Sequence, residues 1–143
     1  MLIWKKPVSV ASLTRRAANT AITHLGIEFM EVGEDFLTAR LPVTRQTCQP
    51  MGLLHGGVSV VLAETLGSIG AAHCCSEGSS VVGLDINANH LRAVREGWVT
   101  GRAMPIHIGR TTQVWKIDIS DQAGKLTCVS RLTMAVIPSV AEI

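Results

Sequence analysis

The feature that most constrains the fold is one long apolar segment with a single carboxylate near its middle. Between Gly56 and Cys74, small or apolar residues fill nearly every position without the alternation of a strand. A helix that is apolar on all sides is a buried helix. Its length would also suit a membrane span, but Glu64 lies near its middle and the rest of the chain is rich in strand patterns. We therefore expect a sheet to surround this helix, and no membrane.

Turn signals and periodic patterns divide the rest of the chain into the elements of one domain, residues 1–143. Ser9 is a typical N-cap for a short amphipathic helix ending near residue 19. Residues 22–32 and 36–43 then predict a strand pair. Period-two alternation predicts four further strands, at 82–89, 99–106, 115–119 and 126–136, separated by turns that suit an antiparallel meander. The order favours an α+β fold, an antiparallel sheet of about six strands wrapped round one long central helix.

The composition excludes several classes of partner. The formal net charge is only +2 and aromatic residues make up 3% of the chain, which argues against nucleic acid as a partner. Hydrophobic residues make up 47% and charged residues 17%, a balance that favours self-association. The four cysteines lack the spacing of a metal site, so we expect no metal and reduced, mostly buried thiols. No signal-peptide pattern opens the sequence, and we expect a cytoplasmic protein.

Two features of the central helix predict chemistry. Burying the carboxylate of Glu64 is costly unless a partner or a function retains it, and a paired neighbour in the core is the structural alternative. His55, Gly56 and Gly57 stand where the helix begins, where free N–H groups favour negative charge and can stabilise an oxyanion. The alternative is that these glycines only form a tight turn.

Geometry connects the two features through a dimer. Gly56 and Glu64 are separated by roughly 12 Å along one helix, so a single helix cannot direct both at one carbonyl carbon. Two such helices packed antiparallel across a two-fold axis would bring Gly56 of one subunit beside Glu64 of the other and form two equal sites. Dimerisation would then be part of catalysis.

Several segments carry a resemblance to a known family over nearly the whole chain. They are QPMGLLHGG at 49–57, AETLGS at 63–68, VVGLDINANHLR at 81–92, Gly109-Arg110, Gln113-Val114-Trp115 and Ser130-Arg131-Leu132. In this order and spacing they resemble the hotdog-fold thioesterases of the phenylacetate-degradation type. The similarity is greatest to the branch of 1,4-dihydroxy-2-naphthoyl-CoA hydrolases.

The resemblance implies an acyl-CoA thioesterase and a role for each residue at its centre. Glu64 would be the nucleophile or the general base, and the Gly56 N–H would polarise the thioester carbonyl. His55 and Gln49 would orient the thioester and the attacking water. Ser68, one helical turn after Glu64, would stand near the water or the carboxylate. No cofactor is implied, because coenzyme A is part of the substrate.

The resemblance also places CoA along the surface between subunits and implies a tetramer of two dimers. Arginine can hold a phosphate bidentately, although without the resemblance these arginines would be ordinary surface residues. The implied CoA contacts are Gly83, His90, Leu91, Arg92, Ala93, His107, Ile108, Gly109, Arg110, Thr111 and Thr112.

The sequence indicates the acyl group of the substrate less strongly than it indicates the reaction. Residues 87–92 follow the CoA branch rather than a sister branch that proofreads a carrier protein, which favours a free aromatic acyl-CoA of a menaquinone or phylloquinone pathway. Met51 stands where relatives often carry phenylalanine, and a flexible thioether could broaden acceptance. Broad-range acyl-CoAs and aryl carrier-protein thioesters are the alternatives. A hotdog dehydratase pairing His55 with Glu64, or an acyl-CoA-binding protein, is the non-hydrolase alternative.

Overall fold

The computed structural model describes residues 1–139 and places one long helix against a single antiparallel sheet. The elements are α1 Val10–Ala17, α2 Ala21–His24, β1 Glu28–Val32, β2 Leu37–Pro42, α3 Gly56–Cys74, β3 Ser79–His90, β4 Trp98–Ile108, β5 Thr112–Asp121 and β6 Leu126–Pro138. The six strands pair in the order β1-β2-β4-β5-β6-β3. The predicted α+β fold, six strands round a central helix, is confirmed. The last four residues of the predicted domain lie outside the described residues.

The sheet accounts for the apolar composition of α3. The helix packs against β2, β3, β4, β5 and β6, and eight of its residues are buried. By length and composition it is the one helix among the described residues that could cross a membrane. Gly70 allows the close approach, since an added Cβ there would lie 2.6 Å from the ring of Trp115. Packing against the sheet therefore provides the burial that the sequence pattern predicted.

The first predicted strand is wrong in its first half. Residues 22–32 were expected to be extended, but Ala21–His24 form the short helix α2. The Thr20 hydroxyl caps this turn by accepting from the backbone N–H of Ile22, and Gly26, with φ of +78°, ends it. The strand begins only at Glu28. Ser9 caps α1 as predicted, through a reciprocal pair of hydrogen bonds with Ser12.

The predicted meander holds for β4, β5 and β6 but not for β3. Among residues 1–139, strand β3 pairs only with β6 and therefore lies at the edge of the sheet, with its second edge unpaired by any of these residues. A bulge between Gly83 and Asp85 interrupts the pairing. The apolar side chains of Val82 and Leu84 are 43% and 61% exposed. The subunit thus presents a long apolar strand edge, which soluble proteins rarely leave uncovered.

The cysteines are free, as expected. Cys74, Cys75 and Cys128 are buried and Cys48 is partly exposed. Burial raises the pKa of the Cys74 thiol from 9.0 to about 12, against the opposing effect of the Lys5 charge. Burial also raises the pKa of Cys128. These thiols are small apolar core residues at neutral pH.

Candidate active site

Glu64 lies half-buried in the middle of α3, beside the edge strand β3. A Cβ added at Gly83 would come within 3.2 Å of Glu64 Oε1, so the bulged strand passes directly over the carboxylate. Among residues 1–139 the carboxylate makes no hydrogen bond and no salt bridge. The structural explanation weighed from the sequence, a paired neighbour in the core, therefore does not apply within the described subunit.

An apolar cleft begins beside this carboxylate. It has a volume of about 390 Å³ and runs between α1, α2, β1 and the second half of α3. Ser68, Gly83 and Met134 line its end near Glu64, and the Ser68 hydroxyl contacts the Met134 sulfur at 3.9 Å. Leucine, isoleucine, phenylalanine and valine side chains form most of its remaining wall. We call this space the acyl cleft.

The beginning of α3 is arranged to bind negative charge. His55 is its N-cap, and the His55 Nδ1 accepts a hydrogen bond of 2.9 Å from the Gly57 N–H. Because Nδ1 accepts, the proton of the neutral ring is on Nε2. The N–H groups of Val58 and Ser59 donate to the His55 carbonyl, whereas the Gly56 N–H donates to no described residue. One backbone donor at the positive end of the helix thus remains for a ligand.

A second cleft, of about 360 Å³, opens at this end of α3. We call it the N-terminal cleft. A Cβ added at Gly56 would lie 3.0 Å from His90 Nε2, so the end of β3 contacts the start of α3. The Gln49 side-chain oxygen accepts from the Met51 N–H, which leaves the amide NH₂ to face the cleft. The predicted site residues that line this cleft are Gln49, Gly56, His90, Leu91, Arg92 and Ala93.

Comparison with known proteins shows the family of this chain. The family model of the thioesterase superfamily matches residues 51–128, more than half of the chain. The chain belongs to the thioesterase superfamily.

Relatives of this thioesterase cover nearly its whole length. It is 48% identical to a 1,4-dihydroxy-2-naphthoyl-CoA hydrolase of Escherichia coli over 95% of this chain and 100% of that protein. It is 46% identical to a proofreading thioesterase of Cronobacter turicensis over 94% of this chain and 98% of that protein. A solved thioesterase of Haemophilus influenzae is 54% identical, superimposes with a TM-score of 0.94 and covers 99% of each chain. The protein is therefore a hotdog-fold thioester hydrolase, and the dehydratase and binding-protein alternatives are set aside.

The other predicted CoA contacts lie at the opposite end of α3. Ile108, Gly109 and Arg110 line a cleft of about 330 Å³ beside Cys74 and Cys75. They belong to the β4–β5 hairpin, together with His107, Thr111 and Thr112. At Gly109 an added Cβ would lie 2.8 Å from the Thr112 carbonyl oxygen, so the turn requires glycine. We call this space the hairpin cleft.

The predicted site residues of the thioesterase thus form three separate groups in one subunit. The N-terminal cleft lies at one end of α3, Glu64 with Ser68 and Gly83 lies midway, and the hairpin cleft lies roughly 27 Å from the first group along the axis. Gly83, whose contact with CoA stays a prediction, lies beside the Glu64 carboxylate. No cluster of three or more potential metal ligands is present in residues 1–139.

Sequence reasoning missed the walls of the acyl cleft. Leu13 in α1, Phe29 in β1, Met134 in β6 and His73 near the end of α3 all line it. An amphipathic helix was predicted here, but no local pattern indicated which part of α3 its apolar face would contact. For His73 a signal was present, because an imidazole in an otherwise apolar helix needs an explanation as Glu64 does.

Proposed function

We propose that this thioesterase hydrolyses a free aromatic acyl-CoA in the cytoplasm, with 1,4-dihydroxy-2-naphthoyl-CoA as the leading candidate. The observation that carries the proposal is the position of Glu64, a half-buried carboxylate without a partner among the described residues, at the end of an apolar cleft. A carboxylate so placed can act on a carbonyl carbon at the mouth of that cleft while the acyl group occupies the apolar space.

The proposed chemistry is the addition of water across the thioester bond. Glu64 either attacks the carbonyl carbon or takes a proton from the attacking water, and both routes place negative charge on the carbonyl oxygen. The Gly56 N–H at the start of a helix is suited to stabilise that oxyanion. The carbon–sulfur bond then breaks, and CoA leaves as the thiol after gaining a proton. If water attacked, the free acid is formed in the same step and Glu64 passes its proton to the thiolate. If Glu64 attacked, the acyl group is left on Glu64 as a mixed anhydride, which water then hydrolyses to the acid and the free carboxylate. In this scheme Gln49, His55 and Ser68 position the thioester and the water.

We propose that the site forms only in a dimer that pairs the free edges of β3. This edge carries Val82 and Leu84, and Leu91, directly after the strand, is a further apolar side chain that is 54% exposed. Pairing two copies of β3 antiparallel would cover the edge and continue the sheet across both subunits. A two-fold axis makes this contact self-complementary.

The contacts within one subunit support a position for the proposed two-fold axis. Position 90 of β3 contacts Gly56, and position 83 contacts Glu64, so the strand runs antiparallel to α3. An axis that exchanges these two ends passes midway between them, close to Ile86 and Asn87. Such an axis brings the N-terminal cleft of one subunit to Glu64 and the acyl cleft of its partner. In this dimer the two halves of each site come from different subunits, which explains why the N-terminal cleft and Glu64 lie apart within one subunit.

The CoA moiety would then follow the surface between subunits. Arg92 beside the N-terminal cleft and Arg110 in the hairpin cleft are exposed cations suited to phosphate groups. Because the hairpin cleft is distant from Gly56 in the same chain, its use by the same CoA requires another subunit. We propose a tetramer of two dimers, as the family resemblance implies, and a further subunit could then supply this cleft.

The choice of acyl group is supported by the motif at residues 87–92 and by the E. coli relative. The near-equal identity to a proofreading thioesterase keeps aryl carrier-protein thioesters as the second candidate. Exposed Met51 next to Gln49 would allow a broader range of aryl or medium-chain acyl groups.

The test is release of free thiol, from CoA with naphthoyl, benzoyl and straight-chain acyl-CoAs and from the carrier protein with an aryl carrier-protein thioester. We expect the wild type to release thiol fastest from 1,4-dihydroxy-2-naphthoyl-CoA. Glu64→Gln keeps the size of the side chain and should lower kcat by about a hundredfold or more. Glu77→Gln, at an exposed carboxylate just beyond α3, is the matched control and should leave kcat unchanged.

Two results would contradict the proposal in different ways. Equal activity of wild type and Glu64→Gln, with both proteins folded, would remove Glu64 from the catalytic step. Release of thiol from the carrier-protein thioester alone would keep the enzyme class and replace the proposed substrate.

A further inference from the structure

We propose that Phe29 is a specificity-determining residue that limits the length of the acyl group this thioesterase accepts. Because the acyl group is assigned to the acyl cleft beside Glu64, this role rests on the proposed function. Phe29 belongs to strand β1 and takes no part in the chemistry described above. It stands where the acyl cleft meets a second cleft.

The acyl cleft lies between the two edge strands of the sheet. The strand order places β1 at one edge and β3 at the other. Gly83 of β3 lines the cleft beside Glu64, and Phe29 of β1 lines it from the opposite edge. Each edge strand has a bulge next to its lining residue, between Gly83 and Asp85 in β3 and between Phe29 and Glu31 in β1. Bulges redirect side chains and are frequent beside active sites.

The second cleft lies between α1, α2 and β1 and has a volume of about 310 Å³. We call it the α1–β1 cleft. Two residues, Ala17 and Phe29, line both this cleft and the acyl cleft. Both are buried, with 4% and 8% of their surface exposed. They therefore form the wall between the two spaces, and Phe29 supplies most of its bulk because the side chain of Ala17 is a single methyl group.

Backbone pairing and helix packing hold Phe29 in this wall. Its backbone pairs with Ala39 of β2. Helix α1, whose buried residues are Leu13 and Ala17, packs on β1. Moving the ring out of the wall would cost the burial of an aromatic side chain, which is among the largest contributions to a core. A group that enters the acyl cleft beside Glu64 therefore meets its limit at Phe29.

The α1–β1 cleft is open to a longer acyl group only if the ring is absent. Without the ring the two spaces would be continuous, and the acyl cleft of about 390 Å³ would gain a further 310 Å³. Burial of each additional methylene would then continue to raise affinity, by up to about fourfold. With the ring in place, a longer chain must turn out into water or displace the ring, so its affinity stops rising.

A purely structural role for Phe29 predicts a different result. Phe29 is part of the hydrophobic core, and its loss would lower stability whichever role it has. If packing were its whole role, substitution would slow the hydrolysis of short and long acyl groups by the same factor. A specificity role instead changes the chain length at which kcat/KM stops rising. That length does not depend on how much active protein a preparation contains, so it separates the two roles.

The experiment uses 4-alkylbenzoyl-CoAs whose alkyl chains lengthen from methyl to octyl. Thiol release gives kcat/KM for each compound with wild type, Phe29→Ala and the milder variant Phe29→Leu. We expect kcat/KM of the wild type to rise with chain length and then fall. In Phe29→Ala this turning point should move to chains longer by about two carbons or more, because the lost ring joins the two clefts. Phe29→Leu should show a smaller shift in the same direction.

Phe36→Ala is the matched control, because it removes the same side chain elsewhere in the same sheet region. The Arg102 guanidinium lies 3.6 Å from the centre of the Phe36 ring, and Phe36 lines neither cleft. Its substitution should leave the turning point where the wild type has it.

The outcomes distinguish this inference from the proposed function. A wild-type series without a turning point, an unchanged turning point in Phe29→Ala, or an equal shift in Phe36→Ala would refute the role of Phe29 and leave the thioesterase intact. If no compound released thiol, the proposed substrate class would fail. Calorimetric binding of the series to Glu64→Gln and to Glu64→Gln/Phe29→Ala would then test Phe29, because the shift should appear in the affinities. Absence of binding to both proteins would overturn the role as well.

Discussion

His55 is both the N-cap of α3 and a proposed contact of the thioester. Its Nδ1 caps the helix through the Gly57 N–H, which places the proton of the neutral ring on Nε2, and the side chain is exposed. Substitution of His55 by asparagine or by alanine distinguishes its role as N-cap from its proposed role in catalysis. Asparagine is a good N-cap without an imidazole, whereas alanine removes both.

We predict that His55→Asn retains stability and loses activity. His55→Ala should lower the free energy of unfolding by about 1 kcal/mol, the usual cost of a lost cap, while His55→Asn should change it little. Both should lower kcat/KM. Denaturant unfolding and thiol release on the same preparations provide the measurement. Full activity of His55→Asn would show that the imidazole acts only as a cap.

The buried thiol of Cys74 predicts the response of the protein to alkali. Its pKa is raised from 9.0 to about 12 in the folded protein. Above pH 9 the unfolded chain therefore releases a proton that the folded chain retains. We predict that the free energy of unfolding falls as pH rises from about 9 towards about 12. Cys74→Ala should flatten the fall of the unfolding free energy with pH. Cys48→Ala, at a partly exposed thiol, is the control and should leave the fall unchanged.

At the scale of elements, the packing of α3 on β5 depends on small residues. The ring of Trp115 is fixed because its Nε1 donates to Gln113 Oε1 at 3.0 Å and Gln113 Nε2 donates to the Ala71 carbonyl at 3.1 Å. This chain of hydrogen bonds ties strand to helix within the core. Gly70 lies against the face of that ring, and the close approach leaves no room for a methyl group.

We predict that Gly70→Ala destabilises the fold although alanine is the better helix former. Helix propensity favours alanine by about 1 kcal/mol, but overpacking against a fixed ring costs about 1–3 kcal/mol. Gly67→Ala is the control. Its added Cβ would meet the flexible end of Leu132, also at 2.6 Å, and that side chain can move. Thermal unfolding should show the larger loss for Gly70→Ala, and the reverse order would contradict this account.

At the scale of the whole molecule, the proposed site takes residues from two chains. Gln49 belongs to the N-terminal cleft of one subunit, and Glu64 would come from the other. A subunit with Glu64→Gln lacks the carboxylate of the site, and a subunit with Gln49→Ala lacks the amide. In a mixed dimer one site would lack both residues and the other would be intact.

We predict that the two inactive variants restore activity when their subunits exchange. A mixed dimer has one intact site of two, so purified mixed dimers should recover about half of wild-type activity per dimer, and an unfractionated equal mixture about a quarter. The measurement is thiol release after co-expression of differently tagged chains and purification on both tags. Background activity in purified mixed dimers would place Gln49 and Glu64 of one subunit in the same site.

The sequence by itself determined the elements whose signals are local. The bounds of α3 agree with the predicted segment, because an apolar run that begins at paired glycines and lacks alternation permits no other element. The cap of α1 and the strands β4, β5 and β6 were predicted for the same reason. The motifs around Gln49, Gly56 and Glu64 likewise predicted the enzyme class that the comparisons confirm.

Only the tertiary structure decided what depends on pairing between distant segments. Periodicity shows that β3 is a strand but not which strand it pairs with, so its position at the edge beyond β6 was missed. The same pairing places Gly83 over Glu64 and brings α1 and β1 round the end of α3 to enclose His73. These contacts join residues far apart in the chain, and no local pattern encodes them.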